Sequence, residues 1–326
     1  MQIFHKMITA IDVGKSWISG ARARKFRGII SNPVFASVRN GENVVERLKT
    51  LKEKLRPDVE DIVVTNFPVE EVLFNTLEIP RELRKSELRT YITAEMSRIL
   101  NLSSSEIALD FVRNPIGKAL VMVTKTRRLN EWISNITAAG FPLPDVVMPD
   151  VFKYLQLLKI SGPEACVLVL LTHDYSVVIV CVSGSPLGIR TFSYSLDETV
   201  SIVSEETGLD EVEIVRELSK QESSNVKNIF ESITVDLPYS VEREIIFLLS
   251  SSLPGSSIRD VAKFYIFCDP LGFTPHYVKL FDTVETMQGK IQPLTPSIDV
   301  KNLSVGTIGL LVRGGEEFGK NKLVQV

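Results

Sequence analysis

Cysteine is scarce: Cys166, Cys181 and Cys268 are the only ones in 326 residues. All three lie inside apolar, strand-like runs, and an odd number in such places reads as reduced core cysteines, not as a disulfide framework or a thiolate metal site. Histidine is as rare, and His5, His173 and His276 stand far apart with no cysteine or acidic pairs at ligand spacing, so a zinc site has no support. Charge of one sign is also missing. The net charge is -3 and the sequence pI about 5.8, which argues against a general nucleic-acid binder. The basic runs at Arg22–Arg27 and Lys125–Arg128 read as a solvated hairpin tip and a helix start.

Long apolar runs are absent too. The strongest, Val167 to Val182, is interrupted by Thr172-His173-Asp174-Tyr175-Ser176, so no stretch reaches the roughly 20 residues that span a bilayer. Met1 to Met7 lacks a basic segment followed by an apolar one, so no signal peptide is read and a cytoplasmic protein is expected. No Gly-x-Ser-x-Gly elbow occurs to suggest a hydrolase. What is there is the balance of a globular chain with a real core, 44% hydrophobic and 24% charged.

The most informative segment is Ile8-Thr9-Ala10-Ile11-Asp12-Val13-Gly14-Lys15-Ser16. It reads as an apolar strand that ends in an acid, a glycine turn and a hydroxyl residue. Trp17, Ser19, Ala21 and Ala23 then interleave with Ile18, Gly20, Arg22 and Arg24, the period of a second strand. A glycine turn brings backbone N–H groups close to whatever sits there, a phosphate above all. The Gly-Lys-Ser triplet is no P-loop, because Thr9 stands where the first glycine belongs and a strand follows instead of a helix. An ordinary β-hairpin turn is the plain alternative.

The order of elements repeats at about half the chain length. Strands Met7–Asp12, Ser16–Ala23 and Ile29–Val38, with turns at Gly14 and Gly28, lead into a helix from Asn43 and a strand Ile62–Thr65. From Cys166 the same order returns: strand Val167–Leu171, turn Thr172–Ser176, strand Val177–Val182, strand Leu187–Ser193 and a helix through Glu198 and Val203. Between the copies lies a block of another rhythm, with helix Ser86–Leu100, strands Ile107–Val112 and Ala119–Thr124, and helix Leu129–Ala139 stopped by Gly140. Strand Val146–Met148 and helix Val151–Leu158 follow. Helices are expected at Asp210–Lys220 and Ser240–Ser251, strands at Phe264–Phe267 and Tyr277–Phe281, a surface loop over Gly289–Ser297 and a closing helix at Val305–Val312. The expected division is a first half at 1–160 carrying an insert at about 80–145, and a second half at 161–326 with a helical part at about 209–257.

Two such halves, an Asp-x-Gly turn and an insert in the first half resemble the actin-like ATPase superfamily, an α/β fold built from a duplicated ribonuclease-H-like unit. Within it the chain most resembles the PilM family, the FtsA-like cytoplasmic components of type IV pilus assembly. The likeness covers nearly the whole chain. Ile11–Ser16 resembles that family's opening phosphate motif, Ser86–Glu95 with Ser105–Phe111 its insert helix and strand, Leu129–Phe141 its next helix and turn, and Val305–Leu310 its closing helix.

The resemblance implies a protein peripheral to the inner membrane. It would bind the cytoplasmic N-terminal tail of a membrane-anchored, PilN-like partner, with ATP and Mg²⁺ in the cleft and a homo-oligomer left open. It places Asp12 as the metal-side carboxylate and Gly14, Lys15 and Ser16 on the first phosphate turn. Thr172, Asp174 and Ser176 fall on the second turn, which lacks its glycine, and Gly272 in Cys268-Asp269-Pro270-Leu271-Gly272 stands for the glycine pair of the adenosine segment. With one turn of three intact, little or no ATP hydrolysis is expected. Tyr91, Ile92 and Met96 are the candidate partner contacts, against the alternative that their apolar stripe is the insert's core. Two further readings stay open. One is an FtsA-like filament-forming membrane tether, although the final Gly-Lys-Asn-Lys-Leu-Val-Gln-Val is too short for a membrane helix. The other is a sugar-kinase-type phosphotransferase, which would need intact glycine turns in the second half.

Overall fold

The strand that opens the chain is buried on both faces, and the sequence shows why. In β1 (Lys6–Val13), Ile8 and Ala10 point to one side and Ile11 and Val13 to the other. A strand without a polar face belongs in the middle of a sheet with layers on both sides. The computed structural model describes residues 6–26, 29–39, 41–160, 162–220, 222–297 and 304–316. His5, Gly28 and the stretch 319–326 lie outside the described residues.

β1 pairs antiparallel with β2 (Ile18–Phe26), which pairs with β3 (Ile29–Val38). The chain crosses through α1 (Val44–Leu55) to β4 (Ile62–Phe67), parallel to β1. α1 is started by Asn43, whose side chain accepts from the Glu46 amide. The insert follows: β5 (Leu73–Glu78), α2 (Leu88–Leu100), β6 (Ile107–Arg113), β7 (Lys118–Lys125) and α3 (Thr126–Ala138). Its sheet has the order β5-β7-β6. β8 (Val146–Pro149) then joins β4 and completes the order β3-β2-β1-β4-β8, and α4 (Asp150–Leu155) leads to the second half.

The second half repeats this plan. β9 (Ala165–Thr172), β10 (Ser176–Val182) and β11 (Ser185–Phe192) form the meander, and α5 (Leu196–Thr207), α6 (Glu211–Ser219), α7 (Asn225–Thr234) and α8 (Leu237–Ser252) follow. β12 (Lys263–Asp269), α9 (Thr274–Phe281) and β13 (Ile291–Pro293) give the order β11-β10-β9-β12-β13, the same topology strand for strand. Along β9, Val167, Val169 and Leu171 pack towards α5–α9, while Cys166, Leu168 and Leu170 pack towards α4.

α10 (Val305–Glu316) is the last element among the described residues. Although it follows the second half in sequence, it packs on β1, β2, β4 and α4 of the first. The approach is close: a Cβ at Gly309 would lie 1.8 Å from the Lys153 carbonyl oxygen, and one at Gly314 would lie 2.6 Å from Ile8. Only glycine lets the α10 backbone come so near to the Lys153 backbone and the Ile8 side chain.

Two expectations are corrected. Tyr277–Phe281 is the end of α9, not a strand. Pro275 suits a first helical turn, and Tyr277 and Phe281, four apart, are both buried on one helical face. The stretch Gly289–Ser297 contains β13, which pairs parallel with β12.

Candidate functional site

Two turns face each other across the cleft between the halves. The first, Gly14-Lys15-Ser16, is closed by the Gly14 amide donating to the Trp17 carbonyl at 2.9 Å. The second, Thr172–Ser176, is closed on itself: the Thr172 hydroxyl donates to the Tyr175 carbonyl at 2.7 Å and accepts from the Tyr175 amide at 3.1 Å. Asp174 reaches from the second turn to the first. Its Oδ2 accepts from the Lys15 amide at 3.2 Å, and a Cβ at Gly14 would stand 2.6 Å from that oxygen. Lys15 Nζ donates to the Asp174 carbonyl at 2.9 Å and pairs with Glu70 at 2.7 Å. Burial raises the Asp174 carboxyl above its ordinary value, against the opposing bond from Lys15. The Ser16 hydroxyl turns to Asp197 at 3.5 Å. The Ser176 hydroxyl is buried without a hydrogen-bond partner among the described residues.

Behind the first turn lies a buried ionic cluster. Lys153 Nζ from α4 stands 2.7 Å from Asp12 Oδ1 and 2.7 Å from Asp150 Oδ1, and all three side chains are almost fully enclosed. Asn66 ties the cluster to the sheet. It accepts from the Val13 amide at 2.8 Å, and its amide nitrogen donates to the Val13 carbonyl at 3.0 Å and to Asp150 at 2.6 Å. The other oxygen of Asp12 faces the hydroxyls of Ser304 and Thr307, each at 3.4 Å, and Thr307 is itself bonded to Ser19. Burial pushes Asp12 up to about 6 even with Lys153 beside it. Burial alone would lower Lys153, but Asp12 and Asp150 hold its ammonium above the ordinary value.

At the far wall, the Tyr154 hydroxyl donates to Asp269 Oδ2 at 2.8 Å. Gly272 does not face the turns. It lies against α6, where a Cβ would meet Val215 Cγ1 at 2.5 Å. The structure thus brings Gly14, Lys15 and Asp174 into contact, commits Asp12 to Lys153, folds Thr172 and Ser176 into their own turn, and sets Gly272 apart.

The donor set does not fit a magnesium nucleotide. A hard divalent cation takes oxygen ligands, and Asp12 and Asp150 already share an ammonium. The amide at Lys15 is engaged by a carboxylate. No group of three or more His, Cys, Asp or Glu with metal-holding geometry occurs among the described residues.

Two of the partner contacts expected from sequence are corrected. Ile92 and Met96 are wholly buried in the core of the insert, with Ala119, Val121 and Val123 of β7, and Tyr91 packs against the same cluster. Their helical spacing marks packing. Elsewhere a groove of about 780 Å³ opens between the insert, the first sheet and the turn from β10 to β11. Ala108 to Val112 of β6 and Asp145 to Pro149 beside and along β8 line it consecutively. Met122 to Thr124 of the central strand β7 line it as well. β6 and β8 are edge strands of their sheets, and the Leu109 carbonyl of β6 accepts from Arg89 at 2.9 Å. Phe152 and Leu155 of α4, Arg313 of α10 and Cys181, Gly184 and Pro186 of the second half line it too.

Two sheets of identical order, joined around a cleft with a turn from each half, define the actin-like ATPase fold, and this chain has it. No protein-family profile and no curated protein sequence matches the chain. Among solved structures it is similar to a PilM–PilN type IV pilus biogenesis complex, with a TM-score of 0.68 and 15% identity over 95% of this chain and 98% of that one. The likeness to the PilM family read from sequence is thereby matched in three dimensions. The chain is also similar to the ethanolamine utilization protein EutJ from Carboxydothermus hydrogenoformans, with a TM-score of 0.50 and 10% identity over 93% and 89% of the two chains. A weaker likeness, with a TM-score of 0.47 and 8% identity over 98% and 99%, is to MreB 5 of Spiroplasma citri bound to AMPPNP. No helix among the described residues is long and apolar enough to cross a membrane.

Proposed function

We propose that this chain is a scaffold of a type IV pilus or related secretion platform. It holds the cytoplasmic N-terminal tail of a PilN-like, membrane-anchored partner and sits at the inner membrane through that partner. In this reading the halves are 1–160 and 161–326, the tail lies between insert and first sheet, and the ATP cleft is degenerate. The observation that carries it is the groove lined by the edge strands β6 and β8. An extended peptide that adds to such an edge gains main-chain hydrogen bonds, and side pockets supply specificity. The likeness to a PilM–PilN complex supports the same partner class.

Ala108 offers a clean test, since it lines the groove and is only half-buried. Ala108→Arg should weaken binding of synthetic tail peptides, taken from membrane proteins encoded beside this one, by about tenfold or more, equivalent to about 1.4 kcal/mol. The melting midpoint should not move. Isothermal titration reads the affinity, and unchanged binding by the variant would overturn the assignment of the groove.

A further inference from the structure

We propose that the cleft supplies its own ions: the Lys153 ammonium stands in place of the divalent cation, and the Asp174 carboxylate in place of the phosphate, that an actin-like cleft implies. The turns of the two halves are thereby latched without nucleotide. This deepens the degenerate-cleft part of the function above and does not depend on the tail groove.

Lys153 meets the geometry of a resident cation. It bridges Asp12 and Asp150 at 2.7 Å each, deep in the fold. It cannot swing aside, because α10 closes over it: a Cβ at Gly306 would lie 2.5 Å from both Asp12 Oδ2 and Lys153 Cε. A metal ion would have to displace the ammonium, or sit beside it as a like charge.

Asp174 meets the geometry of a resident anion. One of its carboxylate oxygens takes the Lys15 amide and rests over Gly14, the glycine whose missing side chain admits it. The Lys15 side chain is held by the Asp174 carbonyl and by Glu70. An incoming phosphate would meet two carboxylates and an engaged amide. The third position is also filled, since Val215 covers Gly272. Unlike the Asp12–Lys153–Asp150 cluster, which lies within the first half, the Asp174–Lys15 contact crosses between the halves. Removing it should loosen both turns together.

The test uses the full chain and hydrogen–deuterium exchange of the peptides spanning 12–19 and 170–176. In the wild type, millimolar AMPPNP with Mg²⁺ should change neither exchange nor melting. In Asp174→Ala both peptides should exchange several-fold faster while the β12 peptide stays as before. Sodium formate, a small carboxylate, should restore protection where sodium chloride at equal ionic strength does not. Saturable AMPPNP binding by the wild type would overturn the proposal and leave tail binding untouched. So would an alanine variant that exchanges like the wild type, or one that formate fails to protect.

Discussion

Lys153 shows how a single residue can be decisive and nearly silent in sequence. The Asp12–Ser16 turn is legible because glycine turns and strand-ending acids carry a local signature. The role of Lys153 depends on which way α4 packs, and the only hint in the chain is the spacing Asp150-x-x-Lys153, one helical turn. Replacing one partner of a buried ion pair leaves an uncompensated charge and costs about 3–5 kcal/mol. Lys153→Met should therefore be strongly destabilised at neutral pH, and the deficit should depend on pH with a definite sign. Asp12 already stands at about 6, above its ordinary 3.8. Without the ammonium its folded pKa rises further, so the folded state binds the extra proton and the variant loses stability as pH rises. Urea midpoints at pH 5 and pH 8 check this, with the larger gap from wild type expected at pH 8. Adding Asp12→Asn to the lysine variant should recover part of the loss at pH 8.

At the scale of elements, the repeat was readable because each half is written as three short apolar strands with glycine or polar turns, a local pattern that survives without residue identity. The misses have physical causes. Tyr277–Phe281 is aromatic enough to pass for a core strand, and only the preceding Thr274-Pro275 reveals a helix start. β13 has three residues and no alternation of its own, and it exists because β12 offers an edge. The stripe of α2 marks a helix, but which neighbour the stripe faces depends on β7, which packs against it.

α9 also carries a pH dependence. His276 is partly buried edge-on to Phe230 of α7, and burial, then Lys279 on its own helix and Lys227 on α7, lowers it to about 4 from 6.5. A base with a depressed folded pKa binds protons preferentially when unfolded. Its contribution is complete above pH 6.5 and is lost as pH falls towards 4. Across that window His276→Gln should show a shallower decline of the urea midpoint than wild type, with the two curves parallel above pH 7. Parallel curves throughout would show that the imidazole titrates alike in the folded and unfolded states, and would overturn the depressed value.

For the whole molecule, the question is what a tail in the groove would join. The insert has its own core around Ile92, Met96 and Val121, and the first sheet has separate clusters on its two faces. Such units open with their own free energies. A peptide bound only to the native arrangement stabilises it by RT ln(1 + [L]/Kd), about 2.7 kcal/mol at a hundredfold excess over Kd. An occupant that touches both β6 and β8 must apply that stabilisation to any opening that separates them. Saturating tail peptide should therefore slow exchange in β6 and β8 to a similar degree. β3, at the opposite edge of the first sheet, feels only the stabilisation of global opening. Protection confined to β6 would place the peptide on the insert alone. Protection in both strands that Ala108→Arg abolishes in both would establish that a peptide in the groove couples the insert to the first sheet.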